Sequence, residues 1–143
     1  MVEYQKILNQ NMLNVLKDIL IYIKNNGLSN NNHLYITFLT NHKKVELPNW
    51  LKQKYPNEMT IVIQYEYYDL ELNDDNFSIS LSFNDIKANL KIDYNSIISF
   101  ADPSANFGLI LKKKQKQKKF NNQIENKKSK NNNVINFSSY KKN

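Results

Sequence analysis

The chain has no cysteine and no arginine, only two glycines, three prolines, one tryptophan and two histidines among 143 residues. Without cysteine there is no disulfide and no thiolate metal site, and nothing points to an oxidising compartment. No apolar run reaches the roughly 20 residues that a membrane-spanning helix needs. The N-terminus MVEYQKILNQ lacks the cationic start and apolar run of a signal peptide. These absences predict a soluble, cytoplasmic protein. With glycine only at positions 27 and 108 there is no glycine-rich phosphate loop. No G-x-S-x-G elbow and no cysteine nucleophile is present. His33 and His42 lack the spacing and the companion glutamate of a zinc site. Asp74 and Asp75, in the stretch NDDN, read as turn formers rather than a catalytic carboxylate pair. The residues therefore predict no enzyme, no metal and no cofactor.

What is present is unevenly distributed. Residues 1–111 hold nine lysines against twelve carboxylates, a net of −3. Residues 112–143 hold eleven lysines against Glu125, a net of +10. Asparagine and lysine are abundant throughout, as mutational bias alone would make them. Lysine richness by itself therefore carries no function.

The first element is a helix over about 3–25. Ile7, Leu8, Met12, Val15, Leu16, Ile19, Leu20 and Ile23 recur at spacings of three and four. Gly27 is placed to end it with positive φ. Leu13, Ile21 and Tyr22 widen the apolar arc, which predicts a second, subunit-facing surface. Then the period becomes two. HLYITFLT (33–40) reads as a strand. PNWLKQKY (48–55) reads as a short helix opened by proline. EMTIVIQYEYYDLEL (58–72) reads as one long strand, with Tyr65 and Tyr67 on one face and Gln64 and Tyr68 on the other. FSISLSF (77–83) alternates cleanly, and Asn84-Asp85 reverses the chain into IKANLKI. Asp93 is placed to cap a short helix, YNSIISF. A strand over about 106–111 closes the body. The order predicts a mainly β fold with an N-terminal α-helix, a bent sheet or small open β-barrel over about 33–111.

Residues 112–133 are too polar and too like-charged to offset their own ordering entropy, so they read as a disordered linker. Residues 134–143 carry a short apolar cluster, Val134, Ile135, Phe137 and Tyr140. The lysine run favours polyanions at low salt. Only Phe120 interrupts it, and a stacking nucleic-acid face would need more aromatics. A strand mixing tyrosines, a glutamine and branched aliphatics suits the grip of an extended peptide through main-chain bonds and side-chain pockets. A small RNA-binding barrel with a basic arm, or a dimerisation module with a solubilising tail, are the competing readings.

The blocks HLYITFLT, KYPNEMTIVIQYEYYDL, FSISLSF and FADPSANFGLIL resemble successive blocks of the stringent starvation protein B family in its alphaproteobacterial form. The terminal VINFSSYKK is similar to that family's docking peptide. The resemblance implies an open barrel with some likeness to the Sm fold, dimerised through N-terminal helices; the widened apolar arc puts Leu13, Ile21 and Tyr22 at that contact. It implies an adaptor that binds ssrA-tagged polypeptides and delivers them to the ClpXP protease. Gln64 falls on a position of the tag groove, extended to Met59, Ile61, Ile63, Tyr65, Phe77 and Leu81. Val134, Ile135, Phe137 and Tyr140 carry over as the residues that dock on the N-terminal zinc-binding domain of ClpX. The linker departs from the family: it is short and cationic where acidic, longer linkers are common.

Overall fold

The computed structural model describes residues 1–29 and 31–113. Its elements are α1 (Tyr4–Asn26), β1 (Leu34–Leu39), α2 (Asn49–Lys54), β2 (Glu58–Ile63), β3 (Tyr68–Leu72), β4 (Asn76–Phe83), β5 (Ile86–Asp93), β6 (Ile97–Asp102) and β7 (Phe107–Ile110). The strands form two open antiparallel sheets, β2-β1-β6-β7 and β3-β4-β5. No barrel is closed among the described residues. The linker beyond Lys113 and the docking residues Val134, Ile135, Phe137 and Tyr140 lie outside them.

The core lies between the two sheets and under one stripe of α1. Met12, Leu16, Leu20 and Ile23 form that stripe at spacings of four, four and three, and all are buried. Leu34, Ile36 and Phe38 point inward from β1, as its alternation predicts. Phe77, Ile79 and Leu81 do so from β4, and Ala88, Leu90 and Ile92 from β5. Gly27 ends α1 with φ of 78° and ψ near 180°, a backbone region that favours glycine, and its N–H donates to the Ile23 carbonyl at 2.7 Å. Asn84 and Asp85 both take positive φ, 54° and 68°, as a two-residue type I′ turn demands.

Two predicted elements differ. The stretch 58–72 is two strands in different sheets. As one strand, 15 residues at ~3.3 Å each would run about 50 Å, far past the eight-residue partner strands. The chain instead leaves the first sheet after Ile63 and enters the second at Tyr68. Tyr67 pins the crossing by donating its hydroxyl to the Ile23 carbonyl at the end of α1 (3.2 Å). A register shift between Tyr68 and Glu71, with Asp69 at φ of 50°, re-aims β3 on entry.

The second difference is at residues 94–100. Asp93 does cap, accepting from the Asn95 N–H at 2.8 Å, but only a single 3-10 turn follows, Tyr94–Ser96. Ile97 onward is β6, an interior strand between β1 and β7. The β-branched pair Ile97-Ile98 and Phe100 pack better on a sheet than on a one-turn helix. The block FADPSANF is the tight connection from β6 to β7. Asp102 Oδ1 accepts from the Ser104 N–H (3.1 Å) and hydroxyl (2.6 Å), its Oδ2 accepts from the Asn32 amide (2.9 Å), and Asn106 takes φ of 53° to release the chain into β7.

Candidate functional site

Where strand pairing stops, a groove opens. β2 is an edge of the first sheet, so one of its sides has no strand partner. β3 begins only at Tyr68, opposite Ser80, so Leu81–Phe83 of β4 extend beyond their neighbour on that side. The two incomplete edges border a hollow of about 420 Å³. Met59, Thr60, Ile61 and Val62 line it from β2, Leu81, Ser82 and Phe83 from β4, and Gln64, Tyr65 and Glu66 from the crossing. Tyr55, which follows α2, and Tyr68 complete the wall.

Each wall residue has a local cause. Tyr55 is fixed because its carbonyl accepts the Thr40 hydroxyl at 2.6 Å and its N–H donates to the Leu51 carbonyl at 2.8 Å. Trp50 of α2 stands edge-on behind Phe83, with ring centroids 6.4 Å apart and planes at 75°. Met59, Ile61 and Leu81 are almost wholly buried and form the floor. Gln64, Tyr65 and Glu66 are exposed, and no hydrogen bond holds the Gln64 carboxamide among the described residues. Two ammonium groups rest on the groove's aromatics: Lys54 Nζ lies 5.7 Å from the Tyr55 ring centroid and Lys87 Nζ 4.2 Å from that of Tyr68. The polar, incompletely paired edges and aromatic wall can accept an extended backbone while offering pockets to its side chains.

Of the seven residues expected at a peptide groove, Met59, Ile61, Gln64, Tyr65 and Leu81 meet here. Ile63 and Phe77 do not. Both are fully buried: Ile63 lies opposite Leu34, and Phe77 packs on Tyr94 with centroids 5.8 Å apart. The expected alternation of the tyrosines also fails, because residues 64–67 are not strand. Gln64, Tyr65 and Tyr68 face the groove together, and Tyr67 turns away to α1. Tyr55, Val62, Glu66, Ser82 and Phe83 are groove residues that sequence patterning did not single out.

A second surface is the outer side of α1. Leu8, Val15 and Tyr22, seven residues apart and so on one face, are exposed, with Tyr4, Ile7 and Ile21 beside them. Val15, Ile19 and Tyr22 border an apolar hollow shared with Leu28 and Phe107. Leu13 belongs elsewhere: it is half-buried and packs on the domain's own core.

The body ends in a set of anchors. Leu111 is buried and its N–H donates to the Ile98 carbonyl at 2.8 Å. Asn9 of α1 donates to the Lys112 carbonyl at 2.7 Å. Lys113 donates to the Asn95 carbonyl at 3.0 Å. Burial pulls the Lys113 pKa below the usual lysine range, and the nearby Asp93 carboxylate pulls it back up. Tyr94, beside these anchors, has its pKa pushed up to about 12 by burial. The anchors and the groove lie at opposite ends of β4. The strand leaves from the Asp75–Tyr94 bond (2.9 Å) and ends in the groove at Phe83. Seven steps of ~3.3 Å along the eight residues of β4 separate the two by about 23 Å.

Other sequence candidates are quieter. His42 Nδ1 accepts from the Lys44 N–H at 3.1 Å within its own loop. Asp74 and Asp75 do not bond their own backbone through their carboxylates; in that turn Asn73 N–H donates to the Asn76 carbonyl at 2.9 Å. No group of three metal-binding side chains occurs among the described residues, and no described helix is long and apolar enough to cross a membrane.

No curated protein sequence matches the chain. The family description of stringent starvation protein B matches residues 6–142, which takes in both the body and the C-terminal stretch. The chain therefore belongs to the stringent starvation protein B family, whose role is of the protease-adaptor type.

Proposed function

We propose that the groove binds the ssrA tag of polypeptides marked for destruction, and that the C-terminal segment tethers the complex to ClpXP. The single observation that carries this reading is the groove itself. Two sheet edges with incomplete pairing border one hollow, with an exposed, unbonded Gln64 at its rim. In this mechanism an extended tag adds its backbone to an open edge, and its side chains enter pockets between Tyr55, Leu81 and Phe83. Val134, Ile135, Phe137 and Tyr140 hold the N-terminal domain of ClpX. The chain does no chemistry of its own. It works in the cytoplasm as a homodimer that meets through the exposed face of α1, which doubles both contacts.

Between the last anchor at Lys113 and Val134 lie twenty residues. A flexible chain of that length has a root-mean-square reach of roughly 25 Å. This is comparable with the ~23 Å from the anchors to the groove, so the spacer can bring a docked unfoldase round to the tag. Confinement of this kind gives an effective concentration on the order of millimolar.

Deletion of residues 134–143 tests the tether. Tag-peptide affinity should stay within about twofold of the intact chain. The substrate concentration for half-maximal degradation by ClpXP should rise roughly 10- to 100-fold, with the maximal rate unchanged. Unaltered delivery at low substrate would overturn the tether; a parallel loss of tag affinity would overturn the separation of the two parts.

A further inference from the structure

Beside the groove wall stands a positioned cation to which the proposed tag binding gives no task. Lys87 sits on β5 directly opposite Ser82 of β4, and Ser82 lines the groove. The type I′ turn at Asn84-Asp85 fixes that register. The Lys87 ammonium is then drawn over the ring of Tyr68, 4.2 Å from its centroid, and Tyr68 is itself a groove residue. Lys87 is thus held at the lip of the groove by a ring rather than by a counter-charge. Among the described residues no carboxylate lies within 4.0 Å of it; the salt bridge there joins Lys91 and Glu46. The groove lining holds a single carboxylate, Glu66, which enters from the crossing.

A peptide laid along the open end of β4 passes Ser82 and Tyr68, and its side chains then project beside an ammonium that a ring holds in position and no carboxylate among the described residues neutralises. Lysine is a point charge with three rotatable donors, so it can meet Asp or Glu without the planar match that arginine imposes. The geometry points to Lys87 as a specificity-determining residue that receives a carboxylate side chain of the bound peptide, so that the groove selects acidic extended peptides over neutral ones. This rests on the groove being the tag site.

The test uses the full chain and two labelled tag peptides, both amidated at the C-terminus. One carries Asp or Glu; the other carries Asn or Gln at the same positions. The intact protein should prefer the acidic peptide roughly 3- to 10-fold at low salt. Raising salt to about 0.5 M should shrink that preference. Lys87→Met should erase it by weakening only the acidic peptide, while Lys87→Arg should keep it. Equal weakening of both peptides by Lys87→Met, or a preference that survives it, overturns the assignment and leaves the groove standing. Failure of the intact chain to bind either peptide overturns the groove reading, and this inference with it.

Discussion

Gln64→Ala separates binding from folding, which most changes at this groove would not do. The Gln64 carboxamide is exposed and makes no hydrogen bond among the described residues, so its removal leaves no buried group unpaired. Fold stability should change by no more than about 0.5 kcal/mol. In the complex the same carboxamide offers two donors and an acceptor to the peptide backbone. Losing it there strands a half-buried peptide group, at a cost of about 1–2 kcal/mol. That corresponds to a Kd raised roughly 5- to 30-fold. Ile61 makes the contrast. It is 1 % exposed, so Ile61→Ala should remove about 2–4 kcal/mol of stability, and a bulkier residue there would cost about 1–3 kcal/mol through overpacking. Neither result could be assigned to binding alone. The assay is fluorescence anisotropy of a labelled tag peptide, with thermal melts on the same preparations. An unchanged melt with Kd within twofold of the intact chain would show that the groove has been placed on the wrong surface.

Two further outcomes follow from other parts of the body. The exposed face of α1 predicts that the chain, 16.9 kDa as a monomer, runs at twice that mass in light scattering. Val15→Asp with Tyr22→Asp should yield folded monomers with tag affinity per chain unchanged; a dimer that survives both would move the contact elsewhere. Tyr94 predicts an alkaline effect. Its folded pKa of about 12 lies above the unfolded value of 10.0, so above pH 10 the folded state holds the phenolic proton more tightly. The associated stability is fully present below pH 10 and is lost as pH rises towards 12, on the order of 2 kcal/mol. Lys113 works in the opposite sense, since its folded pKa is lowered: its ionised form weakens the folded state, and that penalty fades as pH rises to 10.5. Urea titrations should show a smaller loss between pH 10 and 12 in Tyr94→Phe, and an identical loss would refute the assignment.

Much of this architecture can be read from local pattern. The α1 stripe repeats at helical spacing, β1 and β4 alternate with period two, and Asn84-Asp85 suits the left-handed pair that a two-residue hairpin requires. Each of these depends on neighbours within one element. The split of 58–72 does not. Nothing in IVIQYEYYDL marks Ile63 as the last residue of a strand, because the break is imposed by two sheets that share one chain and by the Tyr67 hydroxyl reaching α1, 44 residues away in sequence. Residues 94–100 show a similar override. The Asp93 cap is real, yet β6 forms because β1 and β7 offer partners on both sides.

The groove was partly legible for the same reason. Alternation identifies which side chains point inward, but inward means core along most of a strand. Ile63 and Phe77 are therefore enclosed, whereas Met59, Ile61 and Leu81, of the same inward parity, reach the groove floor. The difference lies in where pairing ends. β3 starts opposite Ser80, so a side chain at 81 or 83 of β4 meets a gap and one at 77 meets Tyr94. That register is a non-local fact, and so is the approach of Tyr55 and Trp50 from α2.

The position of the gap also bears on how an adaptor can divide its labour. The body could have ended anywhere along the sheets. It ends with Leu111, Lys112 and Lys113 each bonded to the body, the last two beside α1 and the Tyr94 turn, at the far end of β4 from the hollow. An origin held in this way does not compete for the groove wall, and residues this far apart with no shared partner should act independently in binding. In the delivery proposed here they would act in series, since cargo and protease would have to be held at once. The charge pattern changes at the same point: residues 1–111 carry a net −3, and the eleven lysines of residues 112–143 begin at Lys112.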